Sequence, residues 1–238
     1  MRLDLALVER GLVRSRTQAA RLVSAGRVLV DGVVANRPSE QVGEDCLLVA
    51  DVDPWVSRAA HKLLGALDAS GTHMPARVLD AGASTGGFTQ VCLARGAERV
   101  YAFDVGHDQL APELRDDPRV VPRDGLNLRD LTLADVEGEP VALVVGDVSF
   151  ISLKLLLGPL LAVLGEDGTA LLLVKPQFEV GRDMLGPGGV VRDEKARVRS
   201  VDEVAAAAAE LGWRQTWRGP SELPGMEGNV EYFIRLDR

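Results

Sequence analysis

Four short apolar runs constrain this chain most: Arg77 to Asp80, Val100 to Asp104, Val141 to Gly146 and Ala170 to Val174. Each is apolar on both faces and helix-length segments separate them, so the pattern predicts a parallel sheet covered on both sides, an α/β fold. Val201, Val204, Ala205, Ala208 and Leu211 recur at helical spacing and predict one late covering helix. With 46% hydrophobic and 26% charged residues the chain has the composition to bury such a core. No apolar run reaches the roughly 18 residues of a membrane span. The N-terminal stretch MRLDLALVERGL carries Asp4 and Glu9 where a signal peptide would be apolar, so a cytoplasmic protein is expected. Cys46, Cys92, His61, His73 and His107 lack ligand spacing, and neither a metal nor a disulfide is expected.

The first run leads into RVLDAGASTGGFTQVCLARG, a strand, a Gly-rich turn and an amphipathic stretch. Gly82, Gly86 and Gly87, with Ala83, Ser84 and Thr85 between them, let the backbone approach a ligand, and the following helix N-terminus offers amides. Asp80 precedes the turn, and Asp104 closes the next strand, where a ribose-binding acid belongs. The spacing Gly-x-x-x-Gly-Gly departs from the G-x-G-x-x-G of NAD sites. An acid at Asp80 would repel a pyrophosphate yet could orient the cationic amino group of S-adenosylmethionine, so the methyl donor is favoured over a nicotinamide dinucleotide. The plainer alternative makes Asp80 a helix cap and Asp104 a turn residue. Asp147 and Lys175 each sit just past a strand, at the edge where open parallel sheets bind ligands. The alternative for Lys175 is a snorkelling lysine on the rim.

The net charge of −8 is unevenly spread. Residues 1 to 37 hold seven Arg against Asp4, Glu9 and Asp31, a balance of +4 that leaves −12 for the remainder. A basic head on an acidic body suggests that the head supplies attraction to phosphates. Within it, Ser15 and Gln18 match a capping box, and Ala19, Leu22, Val23 and Gly26 share one face of a helix that starts near Arg16. Val28 to Val30, the turn Asp31-Gly32 and Val33 to Ala35 read as a hairpin. The segment SRTQAARLVSAGRVLVDGVVA resembles the S4 RNA-binding domain, which would span residues 1–50, with Arg14, Arg16, Arg21 and Arg27 as RNA contacts. DVDPWVS, residues 51–57, reads as a connector to a second domain, 58–238.

DAGASTGG, GDVSFISL, LVKPQFEVG and GNVEYF together resemble the TlyA rRNA 2'-O-methyltransferases, a family also labelled hemolysins. The resemblance runs the whole length, through VSRAAHKL, DVGHDQL and GPGGVV. The second domain is similar to the wider FtsJ class. The resemblance implies a small α+β S4 domain followed by a Rossmann-like class I S-adenosylmethionine-dependent methyltransferase domain. It maps a Lys-Asp-Lys-Glu tetrad onto Lys62, Asp147, Lys175 and Glu231. It also places S-adenosylmethionine on residues 82 to 87 and Asp104, with Asn127 and Asp147 on the adenosine or methyl side. The implied partner is rRNA within a ribosomal subunit, with no DNA, no membrane insertion and a monomeric enzyme. The short ends resemble members that modify a cytidine of 23S rRNA, with 16S rRNA a further possibility. Ala59-Ala60, Asp53-Pro54, Glu222 and Met226 depart from the family pattern without touching the charged motif residues.

A 2'-hydroxyl is a poor nucleophile, so transfer needs a base or an orienting group beside it. Lys175 is the candidate base, promoted by burial and by Lys62 and opposed by Asp147 and Glu231; a purely positional cation is the other option. Three other functions stay open: methylation of a base or a small molecule, a noncatalytic ribosome-binding factor, and the membrane-lytic activity that the older family label suggests.

Overall fold

The computed structural model describes all 238 residues, which form two compact units, Met1–Pro54 and Trp55–Arg238. The first unit comprises helices α1 (Leu3–Glu9) and α2 (Arg16–Ser24) and strands β1 (Val28–Val30), β2 (Val33–Val34) and β3 (Leu48–Ala50). The α2 N-terminus follows from Ser15, whose Oγ accepts the Gln18 N–H at 3.2 Å. The second half of the expected box is absent, because the Gln18 side chain reaches one residue further and accepts the Arg14 N–H at 2.8 Å. Asp31 and Gly32 both have positive φ, as a tight two-residue hairpin turn requires. Strand β3, which carries no distinct signal in the sequence, pairs antiparallel with β1. Leu3, Leu7, Ala19, Val23, Val28 and Leu48 form the core of this unit.

The second unit runs α3 (Ala59–Ser70), β4 (Arg77–Ala81), α4 (Gly87–Ala94), β5 (Arg99–Phe103), α5 (Pro112–Arg115), β6 (Val120–Arg123), β7 (Val141–Gly146), α6 (Leu157–Ala162) and β8 (Leu164–Val174). It continues through α7 (Pro176–Glu179), α8 (Glu194–Glu210), β9 (Arg214–Pro220) and β10 (Tyr232–Asp237). The seven strands lie in the order β6-β5-β4-β7-β8-β10-β9. Strands β4 to β8 are parallel, and β10 runs antiparallel between β8 and β9. The sheet is apolar on both faces because alternate residues feed different cores. Val78, Val100, Val145 and Leu171 pack under α3 and α4, while Leu79, Val144, Leu172 and Ile234 pack under α6 and α8. The α/β expectation is therefore met.

Three boundaries differ from the sequence pattern. Helix α8 begins two turns earlier than its apolar stripe, because Asp193 caps it by accepting the Lys195 N–H at 2.9 Å and only the small residues Ala196 and Ser200 form the buried face of EKARVRS. Strand β8 extends back to Leu164 through GEDGT, which has no apolar run. Trp55 and Val56 pack on the α3/α4 core, and the Val56 N–H donates to Gln90 Oε1 at 2.7 Å.

Chain connections leave β4 and β7 in opposite directions across the sheet, so the loops after these neighbours diverge. Ala81 pairs with Gly146 at their C-terminal ends. A crevice at such a reversal of strand order is the ligand site of open α/β sheets.

Candidate active site

The turn after β4 is built to bring backbone close to backbone. Gly82 has a φ of +84°, and a Cβ there would lie 3.2 Å from the Asp147 carbonyl oxygen. Ser84 adopts a φ of +47°, and its strained backbone is held by Asp104, whose Oδ2 accepts the Ser84 N–H at 2.9 Å. Asp104 Oδ1 accepts the Gly106 N–H at 2.7 Å, so one carboxylate ties the loops after β4 and β5 together. A cleft of 590 Å³ opens beside them, lined among others by Gly82, Ser84, Asp104, Val105, Asn127 and Asp147. The Asn127 side chain also caps the short turn after it, accepting the Arg129 N–H at 3.1 Å.

Asp80 and Gly86 do not line this cleft. Gly86 packs against Leu110 and Leu114, where a Cβ would come within 2.3 Å of Leu114. Asp80 is 0% exposed beneath the turn; Thr89 Oγ1 donates to its Oδ2 at 2.7 Å, and its Oδ1 has no partner. Burial pushes its carboxyl up to about 7, with Asp147 and Asp104 adding to the shift and the Thr89 hydroxyl opposing it. The acid ahead of the turn thus acts from below the loop, because its position on β4 directs it into the protein.

A second cleft of 710 Å³ is lined by residues of the turn, including Ala83, Thr85 and Gly87, and by two buried lysines. Lys62, on α3, is 9% exposed and donates to Glu231 Oε2 at 2.6 Å; Glu231 is 2% exposed and its Oε1 accepts from Gln177 Nε2 at 3.1 Å. Gly225 makes room for this carboxylate, since a Cβ there would lie 2.6 Å from Glu231 Oε1. Lys175, at the end of β8, is also 9% exposed. Its Nζ lies 2.6 Å from Asp147 Oδ1, a contact without hydrogen-bond alignment, and donates to Ser149 Oγ at 2.6 Å. The structure therefore brings Lys62, Asp147, Lys175 and Glu231 around one cleft. Gly82, Ser84, Asp147, Ser149 and Phe150 line both clefts and mark their junction.

The sequence pattern did not single out Ser149, Phe150 or Gln177. Phe150 is 91% exposed and has a φ of +66°, a backbone state that costs a non-glycine residue about 1–2 kcal/mol. Its ring is 5.4 Å from that of Phe178, which in turn lies 6.0 Å from Lys175 Nζ. An exposed aromatic in GDVSF, three residues after a strand-end acid, is the signal that could have found it.

In the first unit, Arg14, Arg16, Arg21 and Arg27 are all exposed. Arg16 pairs with Asp4 at 2.9 Å and Arg27 with Asp51 at 2.9 Å. The Arg2 and Arg16 guanidinium groups hold the Asp4 carboxyl down to about 2, Arg2 most strongly, against a burial effect that raises it.

Residues 55–238 match the FtsJ-like methyltransferase family and residues 1–45 match the S4 domain. The chain is 52% identical to the 16S/23S rRNA (cytidine-2'-O)-methyltransferase TlyA of Mycobacterium tuberculosis, over 99% of this chain and 89% of that protein. The chain belongs to the TlyA family of FtsJ-like methyltransferases. It shares 34% identity with the 23S rRNA (cytidine-2'-O)-methyltransferase TlyA of Campylobacter jejuni, over 98% of both chains. The solved structure of a protein described as a hemolysin, from Streptococcus thermophilus, superposes on this TlyA-family chain with a TM-score of 0.78 at 36% identity, covering 100% of this chain and 88% of that one. No helix is long and apolar enough to cross a membrane.

Proposed function

We propose that this protein transfers a methyl group from S-adenosylmethionine to the 2'-hydroxyl of a cytidine ribose in rRNA, with 23S rRNA as the substrate. The observation that carries this reading is the junction of the two clefts, where a buried lysine contacts both a carboxylate and a hydroxyl.

The smaller cleft suits S-adenosylmethionine. Glycine is required at Gly82 for close approach, Asp104 presents a carboxylate to ribose hydroxyls, and Val105 offers an exposed apolar side chain to a base. When bound, the donor supplies an electrophilic methyl on a sulfonium. Gly82, Ser84, Asp104, Asn127 and Asp147 would hold it, with Ala83, Thr85 and Gly87 on the side of the larger cleft and Asp80 and Gly86 shaping the turn from beneath.

At the junction, Lys175 orients the acceptor. An ammonium has three donors, and its contacts with Asp147 and Ser149 leave one for an oxygen in the cleft. As an ammonium, Lys175 holds the oxygen with this third donor while the proton leaves late; as a neutral amine, with its two N–H bonds directed at Asp147 and Ser149, it turns its lone pair to the hydroxyl and takes the proton. Lys62, locked by Glu231 and Gln177, sets the far wall and adds positive charge that favours an RNA backbone. In the S4 domain, Arg14, Arg16, Arg21 and Arg27 bind phosphates.

The higher identity to the relative named for both rRNAs than to the one named for 23S rRNA favours a second reading, in which 16S rRNA is also a substrate. Purified small and large subunits, incubated separately with labelled donor, test both. Ribose label in the large subunit alone supports the first reading and comparable label in both supports the second, whereas label in neither refutes the function.

A further inference from the structure

We infer that Glu179 is a positioning residue for methyl transfer, holding the loop after β7 so that Ser149 and Phe150 stay aligned with Lys175. This rests on the function proposed above.

The loop from Asp147 to Leu153 carries three groups that line both clefts, and its apolar residues Val148, Ile151 and Leu153 sit in or against the core. Phe150 has a left-handed backbone, and its side chain is almost fully exposed, so its conformation is not fixed by burial. Hydrogen bonds fix the loop at its two ends. At the first end, the Asp147 N–H donates to the Ala81 carbonyl at 3.1 Å. At the second, the Glu179 carboxylate accepts two hydrogen bonds, from Ser152 Oγ to Oε2 and from the Leu153 N–H to Oε1, both at 2.6 Å.

Glu179 thus does from another element what a helix cap usually does from within. Leu153 opens a short 3-10 turn, Leu153–Leu155, and Ser152 at its cap position makes no side-chain cap of its own. The orphan N–H is satisfied by a carboxylate on α7 instead. That helix starts immediately after Lys175, so the residue clamping the loop and the lysine that the loop contacts share one short rigid segment. Phe178, on the same segment, backs the Phe150 ring. Partial burial pushes the Glu179 carboxyl up, with the Ser152 and Leu153 donors and Lys154 opposing and Glu203 adding to the shift.

The clamp makes a specific demand on chemistry. Both partners present donors to a carboxylate, but a serine hydroxyl can also accept. A glutamine can therefore take the Leu153 N–H on its carbonyl and donate its amide to Ser152. Alanine can do neither.

The test combines single-turnover methylation of large subunits, calorimetric S-adenosylmethionine affinity and hydrogen exchange of residues 149–156, for wild type, Glu179→Ala, Glu179→Gln and Ser152→Ala. Glu179→Ala is expected to accelerate loop exchange and to lower the transfer rate about tenfold or more, with donor affinity within about twofold of wild type; one hydrogen bond of about 1.4 kcal/mol is a tenfold change. Glu179→Gln should recover most of both. Should Glu179→Ala fail to fold, Ser152→Ala, which removes one of the two bonds, should show the same changes to a smaller degree. Unchanged exchange, an unchanged rate, or a rate that falls only in step with donor affinity overturns the proposal. If wild type itself leaves rRNA unmethylated, the proposed function fails, while exchange of the loop still decides whether Glu179 is its clamp.

Discussion

Arg27 of the S4 domain and the lysines of the methyltransferase cleft all lie beside carboxylates, yet their surroundings are opposite. Arg27 and Asp51 face solvent, where water and salt do most of what the partner does. Lys62 and Glu231 are almost fully buried and each depends on the other, with Gln177 completing the carboxylate's hydrogen bonds. The same pairing of charges therefore serves two ends. In the proposed function an exposed pair such as Arg27–Asp51 exchanges its carboxylate for a phosphate, whereas the buried pair Lys62–Glu231 fixes geometry for the reaction.

The comparison is broken most severely at Lys175. Lys175→Ala is expected to lower single-turnover methylation about a hundred- to ten-thousand-fold with little change in donor affinity. Lys175→Arg keeps a cation that cannot give up its proton. Near-complete loss in that variant identifies a base, and partial activity identifies an orienting cation. Wild-type rates in both variants would return Lys175 to a rim lysine.

Removing one member of each kind of pair sharpens the contrast. Glu231→Ala leaves Lys62 buried without its partner and is expected to cost about 3–5 kcal/mol in chemical unfolding of the methyltransferase unit. Asp51→Ala should leave unfolding of the S4 unit nearly unchanged. Equal effects would show that burial is not what separates the two regions.

Asp80 adds a pH dependence opposite in sign to that of Asp4 and Asp51, whose carboxyls their arginines hold down. Its carboxyl stands at about 7 in the folded protein against an ordinary value of 3.8. Between those values the unfolded chain has released a proton that the folded protein retains, so rising pH lowers stability across that window. Asp80→Asn should remove this part of the slope in thermal unfolding measured from pH 4 to 7, and an unchanged slope would place the titration elsewhere.

The smallest effect is expected in the S4 domain. Joint replacement of Arg14, Arg16, Arg21 and Arg27 by Ala should weaken RNA binding and flatten its salt dependence while donor binding survives. Because Arg16 and Arg27 are partly engaged by Asp4 and Asp51, Arg21→Ala alone should cost more affinity than either Arg16→Ala or Arg27→Ala. Unchanged affinity and salt slope in the fourfold variant would remove the S4 domain as RNA anchor.

What could be read in the sequence follows from which forces leave a periodic trace. Strand β7 was legible to the residue because both of its faces are buried. The start of α8 was not, since a capping aspartate and a buried face made only of Ala196 and Ser200 leave no apolar stripe. In the site, Asp147 and Lys175 were legible as strand-end charges. Lys62 and Glu231 came only from the family resemblance, because a lysine on a helix and a glutamate ahead of the last strand look like surface residues until tertiary contacts bury them. Asp80 was expected beside the ligand and lies beneath the turn, since the alternation of β4 decides which way it points. Ser149, Phe150 and Glu179 escaped notice because their roles depend on contacts between α7 and a loop distant in sequence.

The most direct measurement is nucleoside mass spectrometry of rRNA from large subunits incubated with wild-type protein and isotopically labelled methyl donor. A junction of two clefts that orients a ribose hydroxyl at Lys175 predicts label in 2'-O-methylcytidine at a single site, absent from the Lys175→Ala reaction. Label on a base, or ribose label that persists in Lys175→Ala, would contradict it.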